Sequence, residues 1–313
     1  MGKITYLRPR RGDVKPILML LTSHRLDCFL VCVRCLERFT DLGRFAHVYV
    51  LAEVTGPEHL ALARHFAARH GNVTVLHLPP GEARDTGTAQ HELYLRHIDD
   101  VIIKLDEDIF VTPHWLEHLL DGYLEHLGRA DAPLVTPLVP VSPAGRHMLG
   151  HFLRVAYPSE RHMFAGPSVE ENWVYHRWIW EKLLYENLAD VYLRDDPRKY
   201  GYVGQASANC MILDRRVLER VLPLPLPPRA TGGNADDLAI NALLRSGDMK
   251  VAVLGRSLAH HYSYAGCEEY LRSHVPLDRV WRFLKGIDEA KPSLSRHRCP
   301  TGPREFTLLR AGG

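Results

Sequence analysis

Two aspartates separated by one residue, Asp106 and Asp108, continue directly from the apolar run Val101-Ile102-Ile103-Lys104-Leu105. Side chains alternate along an extended chain, so strand geometry puts the two carboxylates on one side at the strand's end. Held that close they repel each other unless a cation or a raised pKa relieves them. Their oxygens suit Mg2+ or Mn2+, with a diphosphate able to complete the shell. The plainer reading is a solvated acidic loop; direct extension of a buried strand favours the metal. Two more acids, Asp236 and Asp237, begin a helical stretch behind Asn234, a natural N-cap. There carboxylates complement the helix macrodipole whatever else they do. A histidine pair, His260-His261, follows a late apolar run, and imidazole suits Mn2+ better than Mg2+.

The elements that must position these groups alternate in kind. Ile17-Leu18-Met19-Leu20-Leu21-Thr22 reads as a strand buried on both faces, and residues from about 26 to 39 have helical spacing. A second strand covers 46–51 and ends at Glu53, Gly56-Pro57 opens a helix running to about His70, and Val73-Thr74-Val75-Leu76 is a third strand. A helix near 89–97 leads to the fourth strand over 101–105. Thr112-Pro113 then caps a helix reaching Leu127, with a further strand over 134–139. Such β-α-β-α-β order predicts a Rossmann-type, mostly parallel sheet flanked by helices, with ligands beyond the carboxyl ends of the strands. From about 142 to 205 the pattern loosens into an aromatic-rich insertion over the sheet. Its Trp173, Trp178 and Trp180 suit either a platform for sugar rings or plain core packing. Regular structure resumes with a strand over 210–213, a helix from 215, an extended connector through Pro223, Pro225, Pro227 and Pro228, a helix from 235 to 245 and a last strand over 251–254.

Length and composition bound the class. A chain of 313 residues, 46% hydrophobic and 24% charged, has ordinary globular values, which excludes wholesale disorder, collagen and a disulfide scaffold. Thirty-nine basic against 37 acidic side chains leave +2, too small a surplus for a general nucleic-acid binder. Basic character concentrates at the N-terminus in Lys3, Arg8, Arg10, Arg11 and Lys15, which suits a solvated arm or peripheral contact with an anionic membrane. No apolar run reaches the roughly 18 residues needed to span a bilayer, and no signal peptide is recognisable. Six cysteines, few and unevenly spaced, agree with free thiols and with the cytoplasm as the expected location.

The run Ile102-Ile103-Lys104-Leu105-Asp106-Glu107-Asp108-Ile109-Phe110-Val111 resembles the D-x-D segment of GT-A-fold nucleotide-sugar glycosyltransferases, closest to those with a K-x-D-D-D-v-f-v pattern. Glu107 replaces a central Asp without changing charge. The resemblance implies a GT-A-like domain over the whole chain, with a nucleotide-sugar-binding half over 1–141 and an acceptor-side half over 142–313. It implies that Asp108 holds the metal bridging the donor diphosphate and that Asp106 acts through ribose or metal, with Lys104 and Glu107 beside them. Thr22-Ser23-His24-Arg25 is similar to the loop that touches the nucleotide, and Glu53 stands where the fold often places a base-reading acid. Thr22 as a helix cap and Arg25 as a surface charge are the structural alternatives. Asp236-Asp237-Leu238 is similar to the E-D motif of inverting members, whose second acid removes the acceptor proton, although Asp stands in place of Glu. His261, or its neighbour His260, would complete the metal site. The implied activity is metal-dependent transfer from a nucleotide-diphosphate sugar, with UDP the fold-level expectation, to a hydroxyl of a glycan, lipid-linked or other acceptor, with inversion if Asp237 is the base and Mn2+ or Mg2+ as cofactor.

Other readings compete. Cys28-x3-Cys32-x2-Cys35 has the spacing of a radical-SAM iron–sulfur loop, but its apolar intervening residues and the i, i+4, i+7 placement equally describe one buried helix face. Haloacid-dehalogenase phosphohydrolases also carry D-x-D, on the first strand and normally with Thr or Val where this chain has Phe110. A non-catalytic carbohydrate-binding protein would use the same acids and aromatics without consuming a nucleotide sugar.

Overall fold

The computed structural model describes residues 11–54, 56–78, 85–166, 169–195, 199–225 and 235–288. The N-terminal arm with Lys3, Arg8 and Arg10, Pro79-Pro80-Gly81, Pro227-Pro228, the Asn234 cap and Cys299 lie outside them. The first half alternates as the hydrophobic pattern predicts: β1 (Ile17–Thr22), α1 (Leu26–Phe39), β2 (His47–Ala52), α2 (Pro57–Ala68), β3 (Val73–His77), α3 (Thr86–Arg96) and β4 (Ile102–Asp106). A tight turn at Glu107-Asp108 leads to β5 (Ile109–Val111), followed by α4 (Trp115–His126), β6 (Leu134–Leu138) and α5 (Pro143–Ala156). Then come α6 (Arg161–Phe164), α7 (Trp173–Glu186), α8 (Leu188–Arg194), β7 (Tyr200–Val203), β8 (Cys210–Leu213), α9 (Arg215–Val221), α10 (Ala235–Arg245), β9 (Val251–His261), α11 (Ala265–His274) and α12 (Leu277–Lys285).

The strands form one curled sheet in the order β3-β2-β1-β4-β8-β6-β9-β5, with β7 on β9. Strands β3, β2, β1 and β4 pair in parallel. Strand β8 runs against both β4 and β6, so β6 points the same way as β4, and β9 is parallel to β6. The carboxyl ends of β1, β2, β3, β4, β6 and β9 therefore share one edge, where an α/β sheet gathers ligand-binding loops. Every residue of β1 is buried, and alternation divides them: Leu18 and Leu20 join the larger core with α1, α4 and α7, while Ile17, Met19 and Leu21 join a second core with α3, α9 and α10. The expected mostly parallel sheet flanked by helices is the architecture that forms.

Three expectations need correction. Helix α4 starts at Trp115 rather than at Thr112-Pro113; its N-cap is His114, in the left-handed region at φ 62°, and the Thr112 hydroxyl donates to the Leu258 carbonyl at 2.7 Å instead of capping. The last strand does not stop at 254. After an irregularity opposite Pro137/Leu138 it continues to His261 along β5, a strand too short to show in the pattern. The stretch over 142–205 is largely helical, and Trp178 and Trp180 are core residues, with the Trp180 indole donating to the Tyr262 carbonyl at 2.9 Å. Of the two readings of Cys28, Cys32 and Cys35, the buried helix face is the one that forms: they have no exposed surface and lie on the core face of α1, where burial pushes their thiols up, Cys35 to about 12. An iron–sulfur cluster needs ionised, accessible thiolates, so these cysteines serve as small apolar packing.

Candidate active site

A cleft of about 940 Å³ opens at the carboxyl edge, lined by the β1–α1 loop (Thr22 to Arg25), by Glu53, His59 and Thr86, and by Asp106, Glu107 and Asp108. Glu107 organises this wall. One carboxylate oxygen accepts from the Thr22 hydroxyl at 2.5 Å and the Ser23 N–H at 3.0 Å. The other accepts from the Ser23 hydroxyl at 3.1 Å and the N–H groups of His24 and Arg25 at 3.3 and 3.2 Å. These N–H groups precede α1, so a carboxylate of the chain itself fills the anion position that a helix N-terminus would otherwise offer. The Thr22 hydroxyl proton is committed to Glu107, which leaves His59 to donate to Thr22 through Nε2 at 2.6 Å. Burial lowers the His59 pKa, a shift that Glu107 opposes.

Asp106 and Asp108 reach the same cleft by a route other than strand alternation. Asp106 is the last residue of β4, and the chain turns at Glu107-Asp108, so the turn brings Asp108 round to it. The two then diverge electrostatically. Burial pushes Asp106 up to about 8, opposed by Lys104 and reinforced by the negative charges of Asp108, Asp236 and Asp237. Burial would also raise Asp108, but His261 and Arg25 hold it below the usual carboxylate range. His261 lies with Nε2 3.0 Å from Asp108 Oδ2, and the Arg25 guanidinium pairs with the same oxygen. Arg25 is itself almost fully buried and reaches on to the Ser263 carbonyl and to Glu268, each at 2.9 Å. The strand separates the histidines: His260 packs between the rings of Trp180 and Phe283, and burial lowers its pKa to about 4.

Lys104 and Asp236, both without exposed surface, pair at 3.0 Å behind Asp106, whose Oδ1 is 3.7 Å from the ammonium. Burial alone would lower the Lys104 pKa, but Asp106 and Asp236 hold it above its ordinary value. Asp236 also accepts from Gln90 and Tyr94 at 3.1 Å and from the Asp237 N–H at 2.9 Å, so its oxygens are saturated. Asp237 is half-buried; its Oδ1 accepts the Ala208 N–H at 2.9 Å, and burial followed by the Asp236 charge raises its pKa. Glu53 accepts from the Thr86 hydroxyl and amide.

The sequence reading missed the small-residue run Ala206-Ser207-Ala208-Asn209. It threads through the site: the Asn209 carbonyl accepts the Asp106 N–H at 2.9 Å, its amide lies 3.5 Å from His261 Nε2, and Ser207 bonds the Tyr264 hydroxyl, whose ring meets that of His261. Four small residues entering a buried strand were the available signal. Arg25, Glu268 and Ser263 come from elements far apart in the chain.

The donor types suit a hard divalent ion: Asp106 Oδ1 is buried without a hydrogen-bond partner beside Asp108 and His261, in a neighbourhood crowded with carboxylates. They are not drawn together in this arrangement, for among the described residues no three His, Cys, Asp or Glu side chains are grouped closely enough to hold a metal. Arg25 provides the positive charge against Asp108.

No protein-family model and no curated protein matches the chain. Among solved structures it is similar to GalNAc-T7 with UDP, GalNAc and Mn2+, at a TM-score of 0.49 and 13% identity over 81% of this chain. The match spans only 45% of the GalNAc-T7 chain. It is also similar to the mannosyltransferase PcManGT from Pyrobaculum calidifontis in complex with GDP-Man and Mn2+, at a TM-score of 0.48 and 12% identity over 90% of this chain and 71% of that one.

Proposed function

We propose that this chain is a metal-dependent glycosyltransferase that moves a sugar from a nucleotide-diphosphate donor to an acceptor hydroxyl, with residues 1–141 holding the donor and 142–313 the acceptor. The observation that carries the reading is the pair Asp106 and Asp108 lining a cleft large enough for a nucleotide at the carboxyl edge, with His261 on Asp108 and a carboxylate of raised pKa, Asp237, in electrostatic reach of Asp106. Asp106, Asp108 and His261 would hold Mn2+ or Mg2+, which when bound supplies positive charge to a diphosphate.

The remaining roles belong to side chains of the chain. Because Glu107 fills the helix N-terminus, the nucleotide would lie against the cleft wall around Thr22, Arg25 and Glu53 rather than on the α1 amides. Lys104 neutralises Asp236 and so keeps the interior behind Asp106 from adding a second uncompensated charge. Asp237 accepts the proton of the acceptor hydroxyl as that oxygen attacks the anomeric carbon and the bond from that carbon to the diphosphate oxygen breaks, releasing the nucleoside diphosphate; a raised pKa brings a carboxylate closer to the ideal for general-base work. Direct displacement inverts the sugar. Trp173, 45% exposed and packed on Tyr270 at 4.2 Å, offers a face to an acceptor ring.

Thermal shift with a panel of nucleotide sugars, with manganese and with chelator, tests the reading, since a ligand that binds only the folded state raises the melting point. One nucleotide sugar should stabilise the protein in manganese and lose that effect in chelator and in Asp108→Ala. A panel without any metal-dependent shift overturns the proposal, and binding without turnover identifies a non-catalytic carbohydrate-binding protein.

A further inference from the structure

A second cleft of about 560 Å³ lies along α5, away from the carboxylates of the first. Its chemistry is the opposite. Arg146, His147, His151 and Arg154 line one wall from successive turns of the helix, and residues 164–166 form the other. No Asp or Glu is among the described residues that line it. Arg146 is held in place rather than trailing in solvent. Arg146 is half-buried, donates to the Gly166 carbonyl at 3.3 Å and lies 6.0 Å over the Tyr175 ring. Arg154 folds back over Gly150, where a Cβ would stand 3.5 Å from its guanidinium, so the two arginines, eight residues apart, flank the same stretch of helix. Exposed Arg161 and His162 continue the positive charge on α6. The nearby acid Glu160 is turned to other partners, the Lys182 ammonium at 2.8 Å and the Trp178 indole at 2.6 Å.

A concave site with converging guanidinium and imidazole groups and no carboxylate selects a compact multivalent anion, and planar guanidinium forks match phosphate oxygens. A long polyanion fits less well, because the chain carries only +2 overall and the cleft, at about 560 Å³, is sized for a compact group. Its position gives the site a use. Helix α5 leaves the carboxyl end of β6, which points the same way as β4, so the cleft starts from the edge that carries Asp106 and His261. We infer that this cleft binds the phosphate or diphosphate group of a second ligand. Resting on the glycosyltransferase reading, that ligand is a phosphate-bearing acceptor.

The test measures binding, not transfer. Calorimetry of the full chain with inorganic pyrophosphate in chelator, which silences any metal-dependent donor site, is run beside flotation with phosphatidylcholine vesicles containing phosphatidic acid. Pyrophosphate should bind, and Arg154→Gln should weaken it about tenfold, the value of one charge-assisted hydrogen bond, with a similar loss in Arg146→Gln. Arg154 is exposed, so its variant keeps the fold, and an unchanged melting point verifies this. Vesicle binding lost in Arg154→Gln, with no pyrophosphate signal, supports the site and assigns its phosphate to a lipid headgroup. Absence of both signals, or equal binding by wild type and both variants, overturns the inference. Because no nucleotide sugar is present, a failed glycosyltransferase reading leaves this result standing, and the reverse holds too.

Discussion

Replacing Glu107 by Gln asks whether this residue is part of the ligand site or the clamp that shapes it. The carboxylate takes five donors, two on one oxygen and three on the other, at 2.5 to 3.3 Å. A glutamine keeps one acceptor oxygen and turns an amide NH2 toward the remaining donors, so either two or three donors, partly to fully buried, lose their partner. A hydrogen bond to a charged group contributes about 1.5–3 kcal/mol, the longer ones at the low end, which puts the net loss at about 3 kcal/mol after partial relaxation. Loss of the negative charge at the α1 N-terminus adds about 0.5 kcal/mol. For a chain of this size that corresponds to a melting point lower by about 5 °C. The assay is thermal denaturation followed by circular dichroism, without nucleotide or metal, because a clamp acts whether or not a ligand is bound. Hydrogen exchange should show the amides of Ser23, His24 and Arg25 losing protection first. A melting point within about 1 °C of wild type, with those amides equally protected, would refute the clamp.

The other predictions concern the groups behind and beside Asp106. Lys104→Met should cost about 3–5 kcal/mol by leaving the buried Asp236 uncompensated, and the double variant Lys104→Met/Asp236→Asn should recover most of it in urea denaturation; no recovery would mean that packing, not charge, sets the loss. Asp106 is raised to about 8 chiefly by burial, so between about pH 4 and 8 the folded chain holds a proton that the unfolded chain has released. Stability must then fall as pH rises through that window and level off above it, while Asp106→Asn lacks this fall; parallel pH profiles of the urea midpoints would contradict the assignment. Asp237→Asn should retain donor binding and reduce transfer by about 10² to 10⁴-fold, and near-normal transfer would put the base elsewhere. Trp173→Ala should raise the acceptor KM with little change in the donor KM, which initial-rate kinetics will separate.

Much of the scaffold was legible because its information is local. The wholly apolar β1, the cysteine spacing of α1 and the strand leading to Asp106 each carry their period within a few residues, and the first β-α-β-α-β passage follows from them. Asp106 and Asp108 were legible as a pair for the same reason, although a turn, and not strand alternation, brings them together. Strand β5 and the extension of β9 to His261 were hidden, since three-residue pairing is decided by the partner strand and not by sequence period.

Sequence alone therefore determined which segments are strands and helices over most of the chain and which acids stand at the carboxyl edge, because periodicity and side-chain chemistry are properties of near neighbours. Tertiary structure decided the division of labour among them. It turned Glu107 into the loop clamp, buried Asp236 against Lys104, sent His260 into the core and His261 to Asp108, and brought Arg25 and Glu268 together from opposite ends of the chain. Those outcomes depend on distances between residues as far apart in the chain as Arg25 and Glu268 and on what water is excluded from, and only packing sets either.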